Sequence, residues 1–88
     1  ELVLVHMNGC GHCIKLMPEW EKAVANNDTE IRMRAVEMNQ EDGPELCDKH
    51  NINGFPTIIL IKKDGTTLDY NGARTETGII EFVRSNRE

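Results

Sequence analysis

The feature that most restricts the fold is a change of hydrophobic period within the first 24 residues. "LVLVH" (2–6) is an unbroken apolar run rich in Val and Leu, the pattern of a strand covered on both faces. Asn8-Gly9 breaks it. From Cys10 onward the apolar residues Cys13, Met17, Trp20 and Val24 recur at helical spacing, with Lys15, Glu19, Glu21 and Lys22 on other faces. A buried strand running straight into an amphipathic helix, with Cys10 and Cys13 at the junction, commits the chain to α/β architecture and places chemistry at its first corner.

The remaining segments extend this order. "IRMRAVEMN" (31–39) alternates and then turns apolar, which predicts a strand. Asp42-Gly43-Pro44 is a helix-start signal for a short helix over about 44–50, which stops at Asn51–Gly54. "TIILIK" (57–62), branched on both faces, predicts a central strand. Asp64-Gly65 predicts a tight hairpin turn into "TTLDY" (66–70), with Leu68 and Tyr70 on one face. From Thr75 a last amphipathic helix carries Ile79, Ile80, Phe82 and Val83, and Pro18 is expected to kink the first one. The order is strand, helix, strand, helix, strand, strand, helix. Crossovers make the first strands parallel and the hairpin adds an antiparallel pair, giving a mixed four-stranded sheet in a single domain over 1–88.

Cys10 falls at a helix N-terminus, where free N–H groups and the helix dipole favour an anion, and a thiolate is the reactive form of cysteine. Cys13 lies one turn later on the apolar face, so it is the more shielded of the two. That predicts Cys10 as the attacking sulfur and Cys13 as the one that resolves a mixed disulfide. His12, when protonated, adds a second positive influence. Two inert core cysteines are the plain alternative. A zinc site from Cys10, Cys13, Cys47 and His50 is another, although 33 residues separate the two pairs and an α/β core is unlike a zinc ribbon. Cys47 by itself reads as a partly buried core residue.

A formal net charge of −5, with Lys and Arg scattered, argues against nucleic-acid binding. The longest apolar run, Ile58–Ile61, is far short of the roughly 20 residues of a membrane span. Three cysteines are too few for a disulfide framework, and the Asn27-Asp28-Thr29 sequon is of a kind that often arises by chance.

"CGHCIKLMPEWEKA" (10–23), "ELCDKHNINGFPTIILIKKDG" (45–65) and "YNGART" (70–75) together resemble the thioredoxin superfamily, and within it the catalytic domains of protein disulfide isomerases. The resemblance covers nearly the whole chain. It implies a minimal thioredoxin-like fold lacking the family's first strand and helix, either as such or by truncation. It implies a thiol–disulfide oxidoreductase working through a Cys10/Cys13 couple, with no cofactor beyond that redox-active disulfide and no metal. Pro56 is then a cis-proline beside the cysteines, and Phe55 and Thr57 help form a groove for extended substrate. Gly11 belongs to the CGHC motif, and Arg74 matches an arginine that adjusts the pKa of the buried cysteine. Expected partners are protein or peptide thiols and disulfides, with glutathione or a reductase for recycling, acting on a monomer. A thioredoxin-like reductase or shuttle and a non-catalytic interaction module are the competing readings.

Two departures stand out. Asn8-Gly9 replaces the family's Pro-Trp, removing part of an apolar lip, and Leu4 occupies the place of a buried acid, with His6 the nearest titratable group. No charged-then-apolar leader precedes the first strand, and "RSNRE" (84–88) is no lumenal retention signal. The compartment stays open: endoplasmic reticulum lumen for a secretory precursor, otherwise cytoplasmic or viral.

Overall fold

A computed structural model describes residues 1–87. The elements follow the predicted order: β1 (Leu2–His6), α1 (Gly11–Asn26), β2 (Met33–Glu37), α2 (Gly43–Lys49), β3 (Thr57–Ile61), β4 (Thr67–Asp69) and α3 (Glu76–Ser85). The sheet order is β2-β1-β3-β4. β1 and β2 are parallel, as a crossover through α1 requires, and Leu4 pairs with Ala35. β3 runs antiparallel to β1, with Leu4 opposite Ile58, and β4 antiparallel to β3.

β1 is the keel of the molecule, and its alternation explains why. Leu2 and Leu4 enter one core with Leu16, Trp20, Ala23, Ile58, Leu60, Ile79, Ile80 and Val83, which places α1 and α3 on that face. Val3 and Val5 enter a second core with Val36, Leu46 and Ile59, which places α2 on the other. All four β1 residues from Leu2 to Val5 are fully buried. A strand covered on both faces has no polar side to expose, hence the unbroken apolar run.

Three expectations shift in detail. The buried stripe of α1 is Cys13, Leu16, Trp20 and Ala23, whereas Val24 is exposed. The stripe is rotated toward Leu16 and Ala23 because α3 packs against α1 on that side, and Ala23 is small enough to allow a close approach. β2 is shorter than 31–39. Ile31 is held in a turn, its carbonyl accepting from Asn27 Nδ2 at 2.7 Å and its N–H donating to Thr29 Oγ1 at 3.2 Å, and at the far end Gln40 N–H turns back onto the Glu37 carbonyl. Leu68 is 40% exposed, because β4 lies at the edge of the sheet. Helix α1 runs on through Pro18, whose missing N–H leaves the carbonyl of the exposed Ile14 without its helical partner. Among the described residues no helix is long and apolar enough to cross a membrane.

Polar anchors fix the ends of the elements. Asp42 stands at the N-cap of α2 without capping it. Its carboxylate takes a two-pronged bond from Arg34, at 3.0 and 2.6 Å, while Arg34 Nε reaches Glu1 at 3.0 Å. Thr75 Oγ1 caps α3 by accepting from Gly78 N–H, and Glu19 of α1 accepts the N–H of Glu76 at 3.0 Å, locking the two helices together. The hairpin carries Gly65 at φ +90 after Asp64, whose carboxylate accepts from the N–H and hydroxyl of Thr66.

Candidate active site

Cys10 is the N-cap of α1. Its backbone is extended (φ −76, ψ 117), and its sulfur accepts the N–H of Cys13 at 3.2 Å, as a serine or aspartate oxygen would at such a position. Gly9, at φ +82, makes the turn that delivers it, a conformation that favours glycine. Cys13 is 3% exposed, while Cys10 is only half-buried. Both are free thiols.

The environment drives the two sulfurs apart in acidity. A hydrogen bond from the Cys13 side chain, then the N–H groups of Cys13 and His12 and the charge of Arg74, hold Cys10 below the ordinary thiol range against an opposing effect of burial. Burial and the same bond, with Cys13 as donor, push Cys13 above it. One contact works the other way: as a thiol, Cys10 donates to the Phe55 carbonyl at 3.7 Å, a bond that ionisation loses. At this distance it is the weaker influence. The first proton therefore leaves Cys10, and the second stays on Cys13, inside.

The residues singled out by the motif converge here to different degrees. His12 contributes through its backbone N–H; its imidazole is exposed. Gly11 meets open space where a side chain would project, so sterics do not require glycine there. The Phe55–Pro56 peptide bond is cis and Pro56 is buried. Thr57 opens β3 opposite Val5 and donates its hydroxyl to the Gly54 carbonyl at 2.6 Å. Pro56 and Thr57 share a cavity of about 260 Å³ with Asp69, Tyr70, Gly72 and Arg74. Arg74 is exposed on a loop that Tyr70 braces by donating its hydroxyl to the Ala73 carbonyl, with its ring against Phe82 at 4.9 Å. Gly72 leaves the room that Tyr70 fills, since a Cβ there would lie 2.8 Å from the phenol oxygen.

Leu4 is fully enclosed in apolar company and offers no titratable group beneath the cysteines. His6 stands in register with Glu37 at the ends of β1 and β2. Glu37 is the residue that sequence reasoning passed over: it is buried, and the signal for it was an acid inside the otherwise apolar stretch Val36–Met38. Cys47 is half-buried against the second core, and burial pushes its thiol up. Among the described residues no group of three or more His, Cys, Asp or Glu is placed to hold a metal ion, so Cys10, Cys13, Cys47 and His50 are not gathered into one donor set. The sequon is built into structure: Asn27 caps α1, and its carboxamide bonds both Ile31 and Thr29.

Comparison with known proteins agrees with this geometry. Bloodstream-specific protein 2 of Trypanosoma brucei brucei is 39% identical over 85 residues, covering 97% of this chain and 17% of that protein. A protein disulfide-isomerase of Ricinus communis is 37% identical over 79 residues, covering 85% of this chain and 16% of that one. The chain thus spans a small fraction of the curated relatives it matches. Among solved structures, the first thioredoxin domain of mouse protein disulfide-isomerase A4 superposes with a TM-score of 0.79 at 30% identity, over 96% of this chain and 60% of that one. The J-Trx1 fragment of ERdj5 superposes with a TM-score of 0.84 at 26% identity, over 96% and 39%. The Thioredoxin family model matches residues 1–85, from the first strand to the end of α3 and through both cysteines and the cis-proline, and the chain belongs to that family.

Proposed function

We propose that this chain catalyses thiol–disulfide exchange on protein or peptide substrates, with disulfide formation and isomerisation ahead of net reduction. The observation that carries the reading is the Cys10 sulfur capping α1 while Cys13 is enclosed behind it. Ionised Cys10 attacks one sulfur of a substrate disulfide; a Cys10–substrate disulfide forms and the other substrate sulfur leaves as thiolate. Cys13 then loses its proton to solvent and attacks Cys10. The products are the Cys10–Cys13 disulfide and a second substrate thiolate, so the substrate gains two electrons and the pair loses two. Run backward, the Cys10–Cys13 disulfide oxidises a substrate dithiol. Isomerisation is the first step followed by attack of another substrate thiol.

Holding Cys10 as a thiolate stabilises the reduced pair, which makes the disulfide the better oxidant. That supports an oxidising setting such as the endoplasmic reticulum lumen, in company with the disulfide isomerases it resembles. The groove beside Pro56 and Thr57 is the place for extended substrate, and glutathione or a reductase resets the pair. One observation favours the reductase reading instead: exposed Asn8 and Gly9 offer no apolar lip for unfolded chains. Equilibration in glutathione buffers, with alkylation and intact mass as readout, separates the two. A midpoint near roughly −180 mV supports the oxidant and isomerase, and one near roughly −270 mV moves the assignment to a reductase. Failure to form the disulfide, with zinc on the native protein, overturns both.

A further inference from the structure

Glu37 is the one charged side chain buried among the described residues, at 6% exposure, and no step of disulfide exchange uses it. Its two carboxylate oxygens serve two different loops. Oε2 accepts the backbone N–H of Asn8 at 3.1 Å, and Oε1 accepts that of Asn39 at 2.6 Å. Asn8 lies two residues before Cys10, in a loop also tied by a long bond from Cys10 N–H to the Met7 carbonyl at 3.2 Å and by the Met7 backbone against Cys13. Those two donors hold the Glu37 carboxyl below its usual range, with His6, its neighbour in register, assisting; its charge also reaches the thiol of Cys47. The first turn of α2 closes over the residue from behind, since a Cβ on Gly43 would collide with the Glu37 carbonyl. A buried carboxylate needs its donors in place, and here each donor is a loop that stays where the carboxylate holds it.

We propose that Glu37 is a positioning residue for the nucleophile: it clamps the Met7–Cys10 loop at Asn8 and thereby fixes the seat from which the Cys10 sulfur caps α1. The proposal rests on the reading of Cys10 as the attacking sulfur.

The test is the pH dependence of Cys10 alkylation by iodoacetamide in the reduced full chain, followed site by site by mass spectrometry, alongside thermal unfolding. Glu37→Gln keeps the shape but offers one acceptor oxygen and turns an NH2 toward an N–H donor, so one loop is released. The expected result is a profile displaced to higher pH, with alkylation at low pH slowed severalfold. Glu37→Asp, one methylene shorter, cannot span both donors and shifts the profile the same way by less; it decides the matter if the glutamine variant does not fold. Arg84→Gln, which removes the ion pair with Asp28 beyond the far end of α1 from Cys10, is expected to leave the profile unmoved whatever it does to the unfolding temperature. A lower unfolding temperature for the Glu37 variants with a Cys10 profile coincident with wild type overturns the proposal. An ordinary thiol profile for Cys10 in the wild type takes the exchange reading down as well.

Discussion

Removing Cys13 while keeping Cys10 tests the division of labour between the sulfurs most directly. The Cys13 N–H sits 3.2 Å from the Cys10 sulfur, so the Cys13 thiol is confined to a few ångströms of the atom it must attack. A group confined to within about 5 Å is present at an effective concentration of order 1 M. Against about 1 mM glutathione as the only other nucleophile, a mixed disulfide on Cys10 should persist roughly 10³-fold longer in Cys13→Ser or Cys13→Ala than in wild type. The structural cost is small. Cys13 is 3% exposed, and deleting one buried sulfur costs about 1 kcal/mol. The two variants also separate two roles. The Cys13 side chain is the leading cause of the low Cys10 pKa; serine keeps a donor there and alanine does not, so only alanine should move Cys10 appreciably toward ordinary thiol behaviour. Acid quenching and intact mass give the lifetime of a glutathione adduct, and alkylation against pH gives the acidity. Adduct lifetimes equal to wild type in both variants would refute Cys13 as the resolving sulfur.

Two further outcomes are expected. Arg74→Gln should raise the alkylation profiles of both Cys10 and Cys13, because the guanidinium lowers both. Arg74 is exposed, so the shift should shrink in high salt, and no shift at low salt would remove Arg74 from the site. The Arg34 guanidinium holds Asp42 below the usual carboxylate range. The stability from that pair is therefore complete above the unfolded pKa of about 3.9 and lost as pH falls through the lower folded value. Urea unfolding of wild type and Arg34→Gln should differ at neutral pH and converge in acid; a gap that persists at low pH would place the effect of Arg34 in packing.

What the sequence disclosed and what it hid divide along a physical line. "LVLVH" announced a strand covered on both faces because burial on both faces leaves no freedom in residue type. The switch at Asn8-Gly9 marked the turn, and the spacing of Cys10 and Cys13 carried the site. The cis bond at Pro56 came from the family likeness; Phe-Pro-Thr alone reads only as the start of a strand. The stripe on α1 was misread by one position because Val24 is more apolar than Ala23, and only the approach of α3 decides which of them is covered. Asp42 stands at the start of α2 as the start signal predicts, but its carboxylate serves Arg34, eight residues away, rather than a helix N–H. Glu37 left one signal, an acid within the apolar stretch Val36–Met38, but its role was hidden. Its partners are backbone N–H groups, which every residue but proline carries, so no pattern of side chains betrays them.

The bond between Cys10 and the Phe55 carbonyl spans 45 residues, and β3, which carries Thr57, reaches β1 only when that intervening chain has been closed into the sheet. Cys10 and Cys13 are neighbours from the moment α1 forms, so a disulfide between them can close early on a growing polypeptide. The cavity beside Pro56 and Thr57 exists only once β3 is in place. On the proposed reading, the exchanging pair is therefore assembled before the surface that would select its substrates. During that interval an external disulfide such as oxidised glutathione, reduced to two thiols in the exchange, is enough to close Cys10 onto Cys13, and a closed pair has no free nucleophile to join other unfinished chains.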